Sequence, residues 1–183
     1  MPAARLHYGA PAKALHWTIA ALLAVQLPLG WLMPDIHRGM TPGAAMSVHI
    51  SIGMTILVLM SLRLVWRLAH PVAPESNLPP WQRLSSELVH WLLYVVVLLT
   101  TLSGWFFASY RGWNIALYGI APLPHLVAQG SAVGRGIGNL HATLVWVLLG
   151  LVGVHMAAAL AHLFVYRDRV MHRMLPRALD PVA

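Results

Sequence analysis

Residues 139–166, NLHATLVWVLLGLVGVHMAAALAHLFVY, form an apolar run long enough to cross a bilayer, yet they carry His141, His155 and His162. An ionisable side chain inside a membrane-length segment is costly and marks a functional site by default. The three histidines are spaced by 14 and 7 residues. At about 100° per residue, these steps leave residual rotations of about −40° and −20°. The imidazoles therefore share one face of one helix. His141 and His155 lie about 21 Å apart along the axis, and His162 is about 10 Å further on. One helix thus offers imidazoles at separate depths.

The rest of the chain agrees with a membrane setting. Of 183 residues, 58% are hydrophobic and 9% charged, whereas a soluble domain carries about 25% charged residues. The absence of cysteine excludes disulfides, iron–sulfur clusters, thiolate-held zinc and covalent c-type haem. Three more apolar runs predict helices over 14–33, 46–68 and 87–110, beside 139–166. The first is headed by His16 and Trp17 and lacks a small-residue cleavage site, so it reads as a retained span. Residues 111–138, with six glycines, form the longest non-helical stretch and are expected to fold back on the membrane surface.

Lys and Arg set the orientation. The N-terminus, the loop between spans two and three, and the C-terminus hold nine of them; the opposite side holds Arg38, Arg111 and Arg135. The expectation is an all-α integral membrane four-helix bundle, one domain over 1–183, with both termini cytoplasmic. The net charge of +7 is read as a topology signal, with no nucleic-acid partner implied.

Depth then sorts the histidines. His49 and His141 both fall two or three residues inside the outer ends of their spans. His16 and His155 both lie about 16–17 residues, or about 25 Å, from those ends. Two imidazoles approaching from opposite helices suit bis-histidine haem ligation in a bundle core. A lone membrane histidine more often makes an interhelical hydrogen bond; four at two matched depths on three helices favour iron. Zinc prefers closer ligands with a carboxylate or thiolate. Here Asp35, Glu75, Glu87, Asp168 and Asp180 are all placed in loops or at helix ends. His90, about 18–20 residues deep, competes with His16, and spacing does not choose between them. His90 and His162 together could line a quinone pocket, since near-neutral imidazoles supply hydrogen bonds and protons. The alternative is that they are interface groups facing water. His7, His37, His70, His125 and His172 read as surface residues.

Several stretches resemble the bacterial cytochrome b561 family: LHW at 15–17, VHISIGMTILVLMSLRLVWRL at 48–68, His90, SGWFFASYRG at 103–112, and the H-x13-H-x6-H pattern of 140–164. The similarity covers nearly the whole chain and is greatest to stand-alone four-helix members that oxidise superoxide. It implies a multi-pass protein of the bacterial inner membrane with two haem b groups. His16 and His155 would hold the cytoplasmic haem, and His49 and His141 the periplasmic one. It also implies a ubiquinone site at His90, His162 and the position of Ala14, where a hydroxyl residue is expected instead. Superoxide is then the small-molecule donor, steered by Arg111, Arg38 and Arg135, with Trp105 and Trp113 bordering the haem edge or serving as interfacial anchors. An alternative is an electron-carrier subunit docking a periplasmic electron-donor protein on 111–138. A weaker one is a haem-bearing structural or sensory module.

Overall fold

The computed structural model describes residues 8–34, 36–37, 39–73, 78–132, 134 and 136–175. Four long helices dominate: α1 (Ala10–Leu32), α2 (Ala44–Ala69), α3 (Pro80–Tyr110) and α4 (Ile137–Ala161). A π-helical turn, His162–Tyr166, continues α4. All four are long and apolar enough to cross a membrane.

Every helix begins earlier than the hydropathy pattern predicts, and α3 by the most. Proline accounts for two of the shifts. Pro11 and Pro80 sit in the first turn of α1 and α3, where a missing N–H costs nothing and the fixed φ suits a helix. The Pro79–Pro80 pair therefore starts a helix where the sequence reads as linker. Glu87 consequently lies inside α3, not at its end. At 31 residues, α3 is about 46 Å long. That exceeds a hydrocarbon core of about 30 Å, and the surplus is its polar first turns. Pro28 lies within α1, as membrane helices tolerate.

Packing runs α1 on α2, α2 on α3 and α3 on α4. Ile19, Ile52, Ile56, Met60, Val97 and Leu148 form the core. Helices α1 and α4 do not pack along their lengths; the Trp31 and Trp146 rings bridge them, 5.8 Å apart. Hydroxyls on the spans are satisfied locally. Ser51, Thr55 and Thr100 each donate to the carbonyl four residues back, so they carry no unpaired donor into apolar surroundings.

Within the expected non-helical stretch the structure adds a short hairpin. Strand β1 (Ala116–Leu117) pairs antiparallel with β2 (Ala121–Pro122) in a short hairpin. Its turn places Tyr118 at φ 50 and Gly119 at φ 74, the left-handed pair that tight hairpins require. The Tyr118 N–H donates to Ser51 Oγ at 2.9 Å, and its hydroxyl pairs with Thr55 Oγ1 at 2.8 Å. Those residues lie about 10 and 16 Å along α2 from its start. The hairpin thus descends beside α2. Its flank is anchored by buried Trp113 and Ile115, which pack with Met46 and Ala108.

At the other end, Arg167 adopts a left-handed φ of 52 and turns the chain back. Lys13 Nζ donates to Leu175 O at 2.6 Å, Trp17 Nε1 to Met174 O at 2.9 Å, and Arg173 Nη2 to Ala73 O at 2.7 Å. The segment after α4 is thereby tied to the start of α1 and the chain just past α2.

Candidate functional site: paired histidines at two levels

The four histidines matched by depth face each other in pairs. His49 on α2 and His141 on α4 have ring centres 6.4 Å apart, with planes at 85°. His16 on α1 and His155 on α4 are 6.1 Å apart at 80°. His90 also reaches the inner level, 5.1 Å from His155. Two imidazoles bound to opposite faces of one iron, through metal–nitrogen bonds of about 2.0 Å, have ring centres about 6 Å apart. The separations of both depth-matched pairs suit that arrangement. The His90–His155 distance is too short for it. His90 Nδ1 is held by Ser86 O at 2.6 Å, which leaves its Nε2 free.

The outer pair is built in detail. His141 Nδ1 bonds Thr100 O at 2.9 Å and lies 3.2 Å from Ser103 Oγ, which leaves Nε2 as its free nitrogen. His49 Nδ1 is buried without a hydrogen-bond partner. Two glycines make room for the rings. A Cβ on Gly30 would stand 3.3 Å from His49 Cε1, and one on Gly104 would stand 3.0 Å from His141 Cε1. Around the pair lies a cavity of about 710 Å³ contributed by all four helices. Its walls are apolar and aromatic, including Trp31, Trp105, Phe107, Trp113 and Trp146, and no charged residue lines it. That volume falls within the usual range for cofactor sites, about 300–1,000 Å³. A flat apolar macrocycle would fit the cavity, and His49 and His141 would hold its metal from opposite sides.

The remaining predicted residues sit as follows. Arg111 caps α3; its Nη2 donates to His37 O, and its guanidinium carbon lies 5.5 Å from the Trp113 ring centre. Trp105 and Trp113 line the cavity, so they are more than interfacial anchors. Arg38 and Arg135 lie outside the described residues, as does His7. Ala14 is exposed on α1, about 200° round the helix from His16. His162 Nδ1 meets Asp168 Oδ2 at 2.6 Å and its ring lies 5.3 Å from Tyr166; no hydrogen bond or ring contact joins it to His90 among the described residues. His70, read as a surface residue, stacks on Trp66 at 4.0 Å and 13°.

Sequence reasoning missed Gly30 and Gly104, the Thr100 carbonyl and Asp168. The glycines carried a usable signal: Gly30 directly precedes Trp31, and Gly104 precedes Trp105, within apolar helices where glycine needs a packing reason. The Asp168 contact needs the reversal at Arg167, which nothing in the local sequence announces.

Four membrane-length helices enclosing two levels of facing imidazoles make this a membrane protein of the cytochrome b kind. The family described as prokaryotic cytochrome b561 matches residues 7–177, and the chain belongs to that family of membrane electron-transfer proteins. Membership implies b-type haem. Among curated relatives, cytochrome b561 homolog 2 of Escherichia coli is 28% identical, covering 93% of this chain and 92% of its own length. A probable superoxide oxidase CybB of Yersinia pestis is 26% identical over 89% and 92%. Cytochrome b562 of Cereibacter sphaeroides is 28% identical over 88% and 90%. With its four candidate spans and bacterial relatives, the chain is a multi-pass bacterial membrane protein.

Proposed function

We propose that this chain is a di-haem b oxidoreductase of the bacterial inner membrane that passes electrons from periplasmic superoxide to ubiquinone. Residues 1–183 act as one four-helix domain with both termini in the cytoplasm, as the nine-to-three distribution of Lys and Arg favours. The observation that carries the reading is the pair of ring separations, 6.1 and 6.4 Å, at two levels of α4. His16 and His155 would hold the inner haem, and His49 and His141 the outer one. When bound there, haem supplies one-electron carriers whose potentials follow from axial ligation, burial and hydrogen bonding.

The chain's own residues do the rest. Each haem would be held by two imidazoles, a set that would favour electron transfer over oxygen binding. The Thr100 carbonyl fixes the tautomer and orientation of His141, as second-shell acceptors do for ligating histidines. Arg111 places positive charge over Trp113 at the outer cavity wall and draws in a small anion by steering. Arg38 and Arg135 add charge on the same side. At the inner level, His90 and His162 serve the quinone, and Asp168 orients the His162 ring through Nδ1. Ala14 offers the quinone no hydroxyl. Overall, two superoxide anions, one ubiquinone and two protons give two dioxygen molecules and one ubiquinol. The resemblance to the probable superoxide oxidase of Yersinia pestis supports this choice of donor.

The test is stopped-flow mixing of superoxide with purified, quinone-loaded protein. Rapid haem reduction, faster at low salt, with ubiquinol formed, is the expected result. If superoxide leaves the haems oxidised while a periplasmic protein reduces them, the electron-carrier reading replaces this one. His49→Ala and His141→Ala should each lose one of two haems; retention of both would reject the pairing.

A further inference from the structure

The inner end of the bundle carries a second cavity, which shares no lining residue with the first. It is small, about 20 Å³, which is room for one water-sized group. Tyr8, Arg63, Arg67, His70 and Tyr94 line it, and no carboxylate does. Arg63 is accounted for: its Nη1 donates to Ala12 O at 2.7 Å, and its guanidinium carbon lies 6.0 Å from the Tyr94 ring centre. Arg67 is not. Its Nη1 is buried and has no hydrogen-bond partner. The Tyr8 ring stands 5.9 Å from its guanidinium carbon and supplies no acceptor for that nitrogen.

The two arginines are one turn apart on α2, where like charges repel. Among the described residues, neither has an ion-pair partner. A buried guanidinium nitrogen left unpaired carries the full desolvation penalty of a charged donor. Two guanidinium groups sharing a cavity repel cations and leave a neutral occupant nothing to neutralise. The group that satisfies them is an oxyanion, which guanidinium forks bind in charge-assisted pairs.

We propose that Arg63 and Arg67 form an oxyanion site at the inner end of the bundle, taking one oxygen of a phosphate or carboxylate between them beside Tyr8. Two sources carry this chemistry. One is the phosphate of an anionic phospholipid, because basic pockets at the cytoplasmic ends of spans attract such headgroups. The other is a carboxylate of the inner haem, since Arg63 and His16 each lie six residues from the inner ends of their helices, at about the same depth. The second source rests on the haem reading above; the first does not.

Native mass spectrometry of the full chain extracted in mild detergent, with haem count and potentiometric titration on the same samples, separates the sources. If a phospholipid is bound, wild type retains one anionic phospholipid per chain and Arg67→Gln lowers its occupancy by about tenfold or more, with haem count and midpoints unchanged. If a haem carboxylate is bound, lipid retention is equal, and Arg67→Gln lowers the midpoint of one haem while Arg67→Lys shifts it less. If Arg67→Gln leaves both lipid retention and midpoints as in wild type, the site does not exist. If that variant does not accumulate, Arg67→Lys decides, since it keeps the charge and loses the fork; lipid retention and midpoints equal to wild type overturn the proposal. Lipid retention is independent of haem identity, so loss of the haem reading leaves the phospholipid arm intact.

Discussion

Gly104→Ala asks how closely the outer histidine pair is fitted. The new Cβ would lie 3.0 Å from His141 Cε1 and 3.3 Å from its Nδ1. The ring cannot slide freely away, because Nδ1 is tied to Thr100 O at 2.9 Å with Ser103 Oγ nearby. Relief requires an off-rotamer ring or a backbone shift, and overpacking of this kind costs about 1–3 kcal/mol. If the strain falls on the ligating geometry, affinity for the outer haem drops roughly 5- to 150-fold. Helix propensity works the other way, since alanine for glycine favours the helix by about 1 kcal/mol. Folding and haem affinity should therefore diverge in this variant. Gly30→Ala, whose Cβ would meet His49 Cε1 at 3.3 Å, should show a smaller loss, and Gly150→Ala, with nothing within 4 Å, none. Haem titration of apoprotein followed by Soret absorbance gives the order. Gly104→Ala that binds two haems as tightly as Gly150→Ala refutes the reasoning.

Arg111→Gln should slow haem reduction by superoxide and remove its acceleration at low salt, while Arg111→Lys keeps the salt dependence; stopped-flow rates at two ionic strengths decide. Tyr118→Phe deletes the hydroxyl that meets Thr55, a bond worth about 0.5–1.5 kcal/mol, so hydrogen exchange over 116–122 should quicken roughly 2- to 10-fold. Unchanged exchange would mean the hairpin is held without that bond, by Trp113, Ile115 and the Tyr118 N–H on Ser51 Oγ. Asp168→Asn removes the carboxylate from His162 and should slow quinone reduction with haem content intact; unchanged turnover removes the pair from the quinone site.

The spans and the two histidine levels were legible because both rest on long-range regularities. Membrane length is a running sum over some twenty residues, and depth is a count along a rigid helix. Helix starts were less legible, because hydropathy does not see polar turns such as Gln82–Glu87, which the Pro79–Pro80 start makes helical. The hairpin was missed for a different reason. Its strands are two residues each, and its placement depends on Ser51 and Thr55, more than sixty residues away in sequence. His90 shows where counting stops. Its depth is close to that of His16, and only the separation of 5.1 Å against 6.1 Å distinguishes the two partners of His155.

The same regularity explains why one helix can serve both levels through different neighbours. Over the 14 residues from His141 to His155 the imidazole direction turns by about −40°. His141 meets α2 and His155 meets α1, two helices that are adjacent in the bundle. The heptad-like spacing thus swings α4 from one partner to the next while it descends the membrane. A single alanine inserted after Gly150 would add about 100° and 1.5 Å to that step. The residues before the insertion keep their packing on α3, including the Thr100 bond to His141, so the outer pair should persist. His155 would turn away from His16, and the purified variant should carry one haem per chain. A seven-residue insertion adds only about −20° of rotation but displaces His155 by about 10 Å, so it too should lose the inner pair. Two haems per chain in the single-residue variant would show that the rotation along α4 does not select the partner helix.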